Sequence, residues 1–253
     1  MKIERINKIQ SILREENNIS IEKLCQTFNV SKNTIRRDIN ELSKIGALRK
    51  VYGGIVLNEQ INDSLEPYSF RENRNYQEKS KIGEIAATFV KNGDVIYIDS
   101  GTTTRHMIKH LGDRQHLTIV TASLYVLENA INFNNLNVIA TGGTLFNPSK
   151  AFIGAHVLNC LKNYNFSKVF LASTGVSIEH GATNASPFEY EIKRRAVQKN
   201  AERYLLVDNS KFDKASLMTY SELKNFDYIV TDKEPPKNYI EYCKQNEVNI
   251  IVE

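Results

Sequence analysis

The stretch from Val30 to Gly46 constrains this chain more than any other. Ile35, Ile39, Leu42 and Ile45 recur at spacings of four, three and three residues, so they line one side of a helix. The opposite side carries Lys32, Asn33, Arg36, Arg37, Asn40 and Lys44. Ser31 stands where an N-cap is needed and Gly46 where a helix stops, which predicts a helix over 32–45. Ser20 is placed to cap a preceding helix, Ile21 to Phe28, and only Asn29 and Val30 separate that helix from Ser31. Two helices joined by so short a turn form a helix-turn-helix, whose second helix enters the DNA major groove with its N-terminal end against the bases. Arg suits guanine and Asn suits adenine, because each can make two parallel hydrogen bonds to a base edge. A basic face on an isolated helix is often just solvated surface; the capped helix before it and the hairpin after it argue for DNA.

Upstream, Ile3, Ile6, Ile9, Ile12 and Leu13 predict a further helix ending near Asn17 and Asn18. Downstream, residues 47–57 read as a hairpin: Leu48, Val51, Ile55 and Val56 flank Gly53-Gly54, expected to supply the positive φ of a two-residue turn. Arg49, Lys50 and Tyr52 decorate it, as on a wing lying over the phosphate backbone or minor groove. Charge placement agrees. Residues 1–60 hold 11 Lys/Arg and 7 Asp/Glu, whereas the remainder holds 22 of each, so the whole excess of +4 sits in the first quarter.

Residues 58–75 lack periodicity and read as a linker, with a short strand or dimer contact near Tyr68–Phe70. From 76 to 253 helical and strand patterns alternate. Strands are expected at 95–98, 117–120, 136–140, 169–172, 204–207, 228–231 and 248–252. Helices are expected at 78–90, 102–111, 122–132, 153–161 and 188–198. Such alternation implies a largely parallel sheet covered on both faces, with ligands at the carboxyl ends of its strands. Those ends carry small polar loops: Asp99-Ser100-Gly101-Thr102-Thr103-Thr104, Thr141-Gly142-Gly143-Thr144, Ser173-Thr174-Gly175 and Asp208-Asn209-Ser210-Lys211. Hydroxyls, glycine backbone and the N-terminus of the helix expected from Thr102 make a candidate phosphate cradle. Each loop alone is an ordinary turn or cap; their shared position suggests a small anionic ligand.

No run of about 18 apolar residues exists to span a membrane, and charged Lys2, Glu4 and Arg5 interrupt any signal-peptide core. A cytoplasmic protein is expected. Cys25, Cys160 and Cys243 are odd in number, far apart and without metal-ligand spacing, so they read as reduced structural thiols, with no metal and no cofactor.

The run Val30-Ser31-Lys32-Asn33-Thr34-Ile35-Arg36-Arg37-Asp38-Ile39-Asn40-Glu41-Leu42, with Gly46, Leu48 and Val51-Tyr52-Gly53-Gly54, resembles the signature of the DeoR family of bacterial sugar-metabolism regulators. The resemblance implies a winged helix-turn-helix over 1–57 with Ser31, Asn33, Thr34, Arg36 and Arg37 facing DNA, joined by Lys32, Asn40, Lys50 and Tyr52 from the reading above. Asp38 is expected to orient a neighbouring Arg or Lys. In the larger domain, Asp99-Ser100-Gly101-Thr102-Thr103, Gly142-Gly143, Gly181-Ala182-Thr183, Glu189, Lys193 and Asp208-Asn209-Ser210-Lys211-Phe212 are similar to the family's effector domain, itself similar in fold to ribose-5-phosphate isomerase. This implies a sugar phosphate at residues 99–104, with Lys193 and Lys211 as charge partners and Gly142, Gly143, Gly175 and Glu189 around it. The expected protein is a homo-oligomer, dimer or tetramer, that represses carbohydrate-metabolism genes from operator DNA until the effector binds. The alternatives are a sugar-phosphate isomerase bearing a DNA-binding head, and a DNA-binding module whose second domain only oligomerises. An enediolate isomerase needs a positioned carboxylate base; the loop after 169–172 has none before Glu179, leaving Asp99 and Glu189, which read better as hydroxyl acceptors.

Overall fold

The computed structural model describes residues 18–44, 48–51, 53–57 and 68–252, together with Arg5, Lys8, Ile9, Ile12, Leu13 and Glu16. The chain divides into two compact units, Met1–Phe70 and Arg71–Glu253.

In the first unit the described residues from Arg5 to Glu16 have helical backbone. They precede β1 (Asn18–Ser20), α1 (Ile21–Phe28), α2 (Lys32–Lys44), β2 (Leu48–Val51) and β3 (Gly54–Leu57). Both expected caps form: Ser20 Oγ accepts from the Lys23 N–H at 3.1 Å and Ser31 Oγ from the Thr34 N–H at 3.2 Å. Asn29 closes α1 in the left-handed conformation, φ 49°, which Asn tolerates. The apolar stripes meet in one core, where Ile9, Leu13, Leu24, Ile35, Ile39, Leu42, Leu48 and Ile55 are at most 2% exposed. Burying side chains of this size is worth about 1.5–3 kcal/mol each, which is what holds so small a unit together. Ile3, Ile6, Ile45, Gly46 and Tyr52 lie outside the described residues.

The hairpin gains a third, antiparallel strand, giving the order β1-β3-β2. Asn18-Ile19-Ser20 is too short and polar to announce itself, and pairs because the edge of β3 is left with unmet backbone groups. This changes the role of the glycine pair. Gly53 has the expected φ of 79°, but Gly54 does not share it. Gly54 instead lets β1 approach, since a Cβ there would lie 2.6 Å from the Ile19 carbonyl oxygen.

A short helix, α3 (Tyr68–Asn73), stands within the stretch read as linker, in place of the strand suggested there. Then follow α4 (Tyr76–Thr88), β4 (Val95–Ile98), a 3-10 helix (Thr104–His110), β5 (Thr118–Thr121), α5 (Leu124–Ala130) and β6 (Asn137–Ala140). The chain continues through β7 (Thr144–Phe146), β8 (Ala151–Ile153), α6 (Ala155–Asn163), β9 (Lys168–Ala172), β10 (Gly175–Ser177), β11 (Gly181–Asn184) and α7 (Pro187–Val197). It ends with β12 (Glu202–Leu206), β13 (Met218–Ser221), β14 (Tyr228–Val230), α8 (Lys237–Gln245) and β15 (Asn249–Ile251).

Seven strands form one parallel sheet in the order β15-β14-β12-β9-β4-β5-β6. Alternating side chains feed two cores, as period-two strands must. Ile96 and Ile98 pack with Ile82 and Ala86 of α4, while Tyr97 packs on the other face with Val157 and Leu161 of α6. The chain leaves β4 towards β5 and β6, then returns to β9 on the other side and proceeds to β12, β14 and β15. The carboxyl ends of β4 and β9 therefore flank the topological switch point, where a ligand crevice opens in sheets of this kind.

Three elements had no clear sequence signal. The hairpin β7-β8 and the antiparallel sheet β10-β11-β13 use strands of only three or four residues, those of the sheet rich in Gly, Ser, Thr and Asn, whose pairing is decided by non-local partners. α8 buries only Tyr239 and Cys243, too few for a visible stripe. Cys25, Cys160 and Cys243 are free thiols, and burial pushes the Cys243 thiol up to about 11. No helix among the described residues is long and apolar enough to cross a membrane.

Candidate functional site

On α2 the two faces separate as amphipathicity requires. Ile35, Ile39 and Leu42 are buried; Ser31, Lys32, Asn33, Arg36, Arg37 and Asn40 are exposed, with Thr34 half-buried. Lys32 pairs with Glu22 of α1 at 2.7 Å and Lys50 of the wing donates to Asn40 Oδ1, so the wing strand and the helix share one polar surface. Asp38 does not share that surface. It is 1% exposed, and both its oxygens accept from Arg5, Nε at 2.6 Å and Nη2 at 3.3 Å. The Arg5 guanidinium is raised by this hydrogen-bonded carboxylate. The residue expected to orient a neighbour therefore ties the N-terminal helical residues to the back of α2.

At the switch point, Asp99 follows β4 and is 1% exposed. Its Oδ1 accepts from the Gly101 N–H at 2.9 Å and from the Thr104 hydroxyl; its Oδ2 accepts from the Ala172 N–H at 2.9 Å and from Lys193 Nζ. Lys193, on α7 and 4% exposed, also donates to the Ala172 carbonyl at 2.8 Å. Tyr220 donates to the same carbonyl at 3.1 Å, and burial followed by the Asp99 charge raises its phenol far above the ordinary value. Next to this knot, Glu189 takes Ser100 Oγ at 3.2 Å and Asn184 Nδ2 at 3.4 Å. Ser186 caps α7 through the Glu189 N–H at 3.3 Å, which fixes that carboxylate at the helix start. Asp99, Ser100, Gly101, Thr104, Glu189 and Lys193 are thus brought together. Thr102 and Thr103 are buried beside them, at 6% and 4% exposure.

The expected helix from Thr102 is instead the seven-residue 3-10 turn from Thr104, so it offers no regular α-helical N-terminus to an anion. Gly142 and Gly143 are exposed, and no hydrogen bond among the described residues ties them to Asp99. Gly143, at φ 109°, lies against the Ile153 carbonyl, so the pair serves the turn into β7. The Gly175 carbonyl accepts from Ser173 at 2.7 Å and Thr183 at 3.0 Å, which ties the start of β10 to β11 at the end away from their turn.

Lys211 is not at the Asp99 knot. It joins a second cluster beyond the end of β12, with Asp208, Arg71, Arg74 and Lys79. Asn75 Nδ2 donates to Asp208 Oδ1 at 2.9 Å and to Ser210 Oγ at 3.1 Å, and Ser210 donates to the same carboxylate oxygen. Burial raises Asp208, but Lys211, the hydrogen bonds from Ser210 and Asn75, and Lys79 outweigh it and leave it lowered. Lys79 is 2% exposed, donates to the Arg71 carbonyl, and is pushed down to about 7 by burial and then by Lys211. Lys211 is pushed down to about 8, by burial first, with Asp208 opposing and Arg74 and Arg71 adding to the depression. Burial likewise lowers Arg74. Sequence reasoning passed over Lys79 and Arg74. The signal was there for Lys79: it precedes Ile82, Gly83 and Ala86 at spacings of three, four and seven, placing a charge on the apolar stripe of α4. Among the described residues, no group of three or more His, Cys, Asp or Glu could hold a metal ion.

A basic, capped helix beside a β-wing, followed by a parallel α/β unit with a buried polar knot at its switch point, defines a two-part regulator, a DNA reader with a sensor. Comparison with known proteins gives the family. Residues 5–61 match the DeoR-like helix-turn-helix domain and residues 74–233 the DeoR C terminal sensor domain. The chain is 38% identical over 250 residues to the HTH-type transcriptional regulator IolR of Bacillus subtilis, covering 99% of each. It is 29% identical over 249 residues to the transcriptional repressor GlcR of the same organism, covering 98% of this chain and 95% of GlcR. The chain belongs to the DeoR family of transcriptional regulators. Among solved structures, ribose 5-phosphate isomerase A from Methanocaldococcus jannaschii aligns over 55% of each chain with TM-score 0.41 and 19% identity, too distant to carry a conclusion about this protein.

Proposed function

We propose that the protein is an operator-binding repressor of carbohydrate-metabolism genes, released from DNA by a phosphorylated sugar. The observation that carries this reading is the division of α2: its isoleucines are buried in the head while Arg36, Arg37 and Asn33 stand free of the core at the capped end. In this reading the N-terminal end of α2 enters the major groove, Arg36 and Asn33 meet base edges, and Lys50 and Tyr52 follow the backbone. Two or more copies pair through the larger unit and present two heads to neighbouring half-sites. A sugar phosphate bound at the strand-end rim favours one arrangement of the heads, and it shifts the balance only by its differential affinity for the two.

The rim favours sensing over catalysis. Asp99 already accepts four donors and Glu189 two, so each carboxylate is held as a hydrogen-bond acceptor and is poorly placed to take a carbon-bound proton. The test is a gel shift of the full-length protein on the DNA upstream of its own gene, titrated with a panel of pentose and hexose phosphates. Release by one phosphosugar, with none by its unphosphorylated parent, is the expected result. Tight binding indifferent to every phosphosugar would refute the sensor role, and turnover of any of them would refute the non-enzymatic one.

A further inference from the structure

The larger unit carries a gap in its charge. Residues 129–149 contain no Asp, Glu, Lys or Arg, in a chain of which 25% is charged. The gap is not a buried one. Over half of these residues are exposed, and Ile131, at 78%, is the most exposed large apolar side chain among the described residues. The gap is centred on β6, an edge strand of the parallel sheet. The Asn137 N–H donates to the Leu117 carbonyl at 3.0 Å and the Thr141 N–H to the Thr121 carbonyl at 3.1 Å. Successive residues of a strand point their backbone groups to opposite sides, so Asn137, Ile139 and Thr141 face β5, and Val138 and Ala140 turn N–H and C=O outward. No hydrogen bond to those outward groups occurs among the described residues. Edges that stay single are blunted by Lys, Pro, other charges or a bulge. β15, the opposite edge, has Lys244 and Glu247 just before it; β6 has nothing of the kind.

We propose that β6 is a two-fold interface between copies of this chain: its edge pairs antiparallel with the same edge of a second copy, and one sheet runs through both larger units. This rests on the reading above that copies pair through the larger unit. The missing charge selects the occupant. DNA, or an acidic or basic partner, would find no complement to its own charge on this surface. A two-fold axis sets each residue near it against its own copy, so a charge there would meet its like, and a neutral stretch avoids that repulsion. Depletion of charge is also the mark of an interface centre. The backbone fixes the register. Outward residues must face outward residues, so Val138 pairs with the partner's Ala140 and Ala140 with the partner's Val138, each pair exchanging both of its N–H···O=C bonds. The axis then passes between the two copies of Ile139, a non-hydrogen-bonded pair with Cα atoms about 4.5 Å apart. Ile131 precedes the strand and Leu145 follows it, 78% and 38% exposed. Antiparallel pairing brings the amino end of one strand beside the carboxyl end of the other, so these two side chains widen the apolar contact beyond the strand itself.

The experiment follows the mass of the full-length protein by sedimentation velocity over a dilution series, without DNA. Wild type should associate. Ala140→Pro should raise the dissociation constant of one association step at least about tenfold, because it takes an outward N–H from each copy. Every bond of β6 to β5 stays in that variant, and Pro is tolerated on an edge strand whose N–H faces solvent. Leu217→Glu, at an open apolar position outside the neutral run (52% exposed), should associate like wild type. Ile139→Cys should cross-link to its own copy under mild oxidation by diamide, since that Cα separation lies within the disulfide range. The yield should exceed the level set in wild type by the free Cys25, Cys160 and Cys243. Wild-type association of Ala140→Pro, or no added cross-link in Ile139→Cys, would overturn the β6 interface and leave pairing through the larger unit to another surface. A wild type that stays monomeric throughout the series would overturn both. Should Ala140→Pro fail to fold, the cross-link decides alone.

Discussion

Replacing Asp38 by Ala should abolish DNA binding at physiological temperature although Asp38 is buried away from the exposed basic side of α2. The carboxylate is 1% exposed and both oxygens accept from Arg5, whose side chain is 17% exposed. Removing one partner of a buried ion pair costs on the order of 3–5 kcal/mol, because the other charge is stranded. Arg5 keeps some access to water and recovers part of its hydration, which puts the expected cost below that range, at about 2–3 kcal/mol. A unit of some 70 residues with one small core has a stability of only a few kcal/mol to begin with. The variant head should therefore be largely unfolded at 37 °C while the larger unit stays intact. Hydrogen exchange of the full-length protein, read by mass spectrometry, would show protection lost across α1, α2 and β1–β3 and retained in the parallel sheet. Cooling should restore both protection and operator affinity. The double variant lacking Arg5 and Asp38 should be more stable than the sum of the single losses implies. If Asp38→Ala keeps full protection of α2 yet loses operator affinity at every temperature, Asp38 acts on DNA directly and the assignment of the faces of α2 is wrong.

Other expectations follow from the same geometry. Arg36→Ala should cost about 1–3 kcal/mol of operator binding and relax preference at one base position, whereas Lys50→Ala should weaken all DNA alike and flatten the salt dependence; binding measured on operator and scrambled duplexes at several salt concentrations separates them. Asp99→Asn should destabilise the larger unit by about 3–5 kcal/mol, because Lys193 loses its counter-charge in a buried site, and unchanged urea unfolding would contradict the knot. Lys79 titrates at about 7 in the folded chain against an ordinary 10.5, with Lys211, Arg71, Arg74 and Asp208 around it. Between those pH values the unfolded state binds the extra proton, so ligand-free stability should rise from pH 7 towards pH 10, and K79M should lose Lys79's share of that rise while the share of Lys211, pushed down to about 8, stays. His106, facing Arg105, Lys109, Lys79 and His110, is pushed down to about 4 by burial first and those charges next. It should make the protein less stable as pH falls from 6.5 to 4, a loss that H106F should lessen in thermal scans.

The helix-turn-helix was readable because every signal in it is local. Ser20 and Ser31 cap their own helices, the isoleucine spacing of α2 is that of one helix, and both basic and apolar faces come from the same 13 residues. The parallel strands were readable for a related reason: most are short apolar runs bounded by polar turns, the pattern of strands in a sheet covered on both faces. By itself the chain thus determined the head, the alternation of the larger unit and the presence of polar loops at strand ends. Tertiary structure decided what those loops do. Strand order is a long-range matter, and only it brings Asp99 of one loop against Ala172 of another and Lys193 of α7, while carrying Lys211 away to Asp208, Arg74 and Lys79. A lysine's charge is visible in any sequence, but whether it is paired with a carboxylate, as Lys193 is, or set among other cations, as Lys211 is, depends on which strand ends the fold sets side by side.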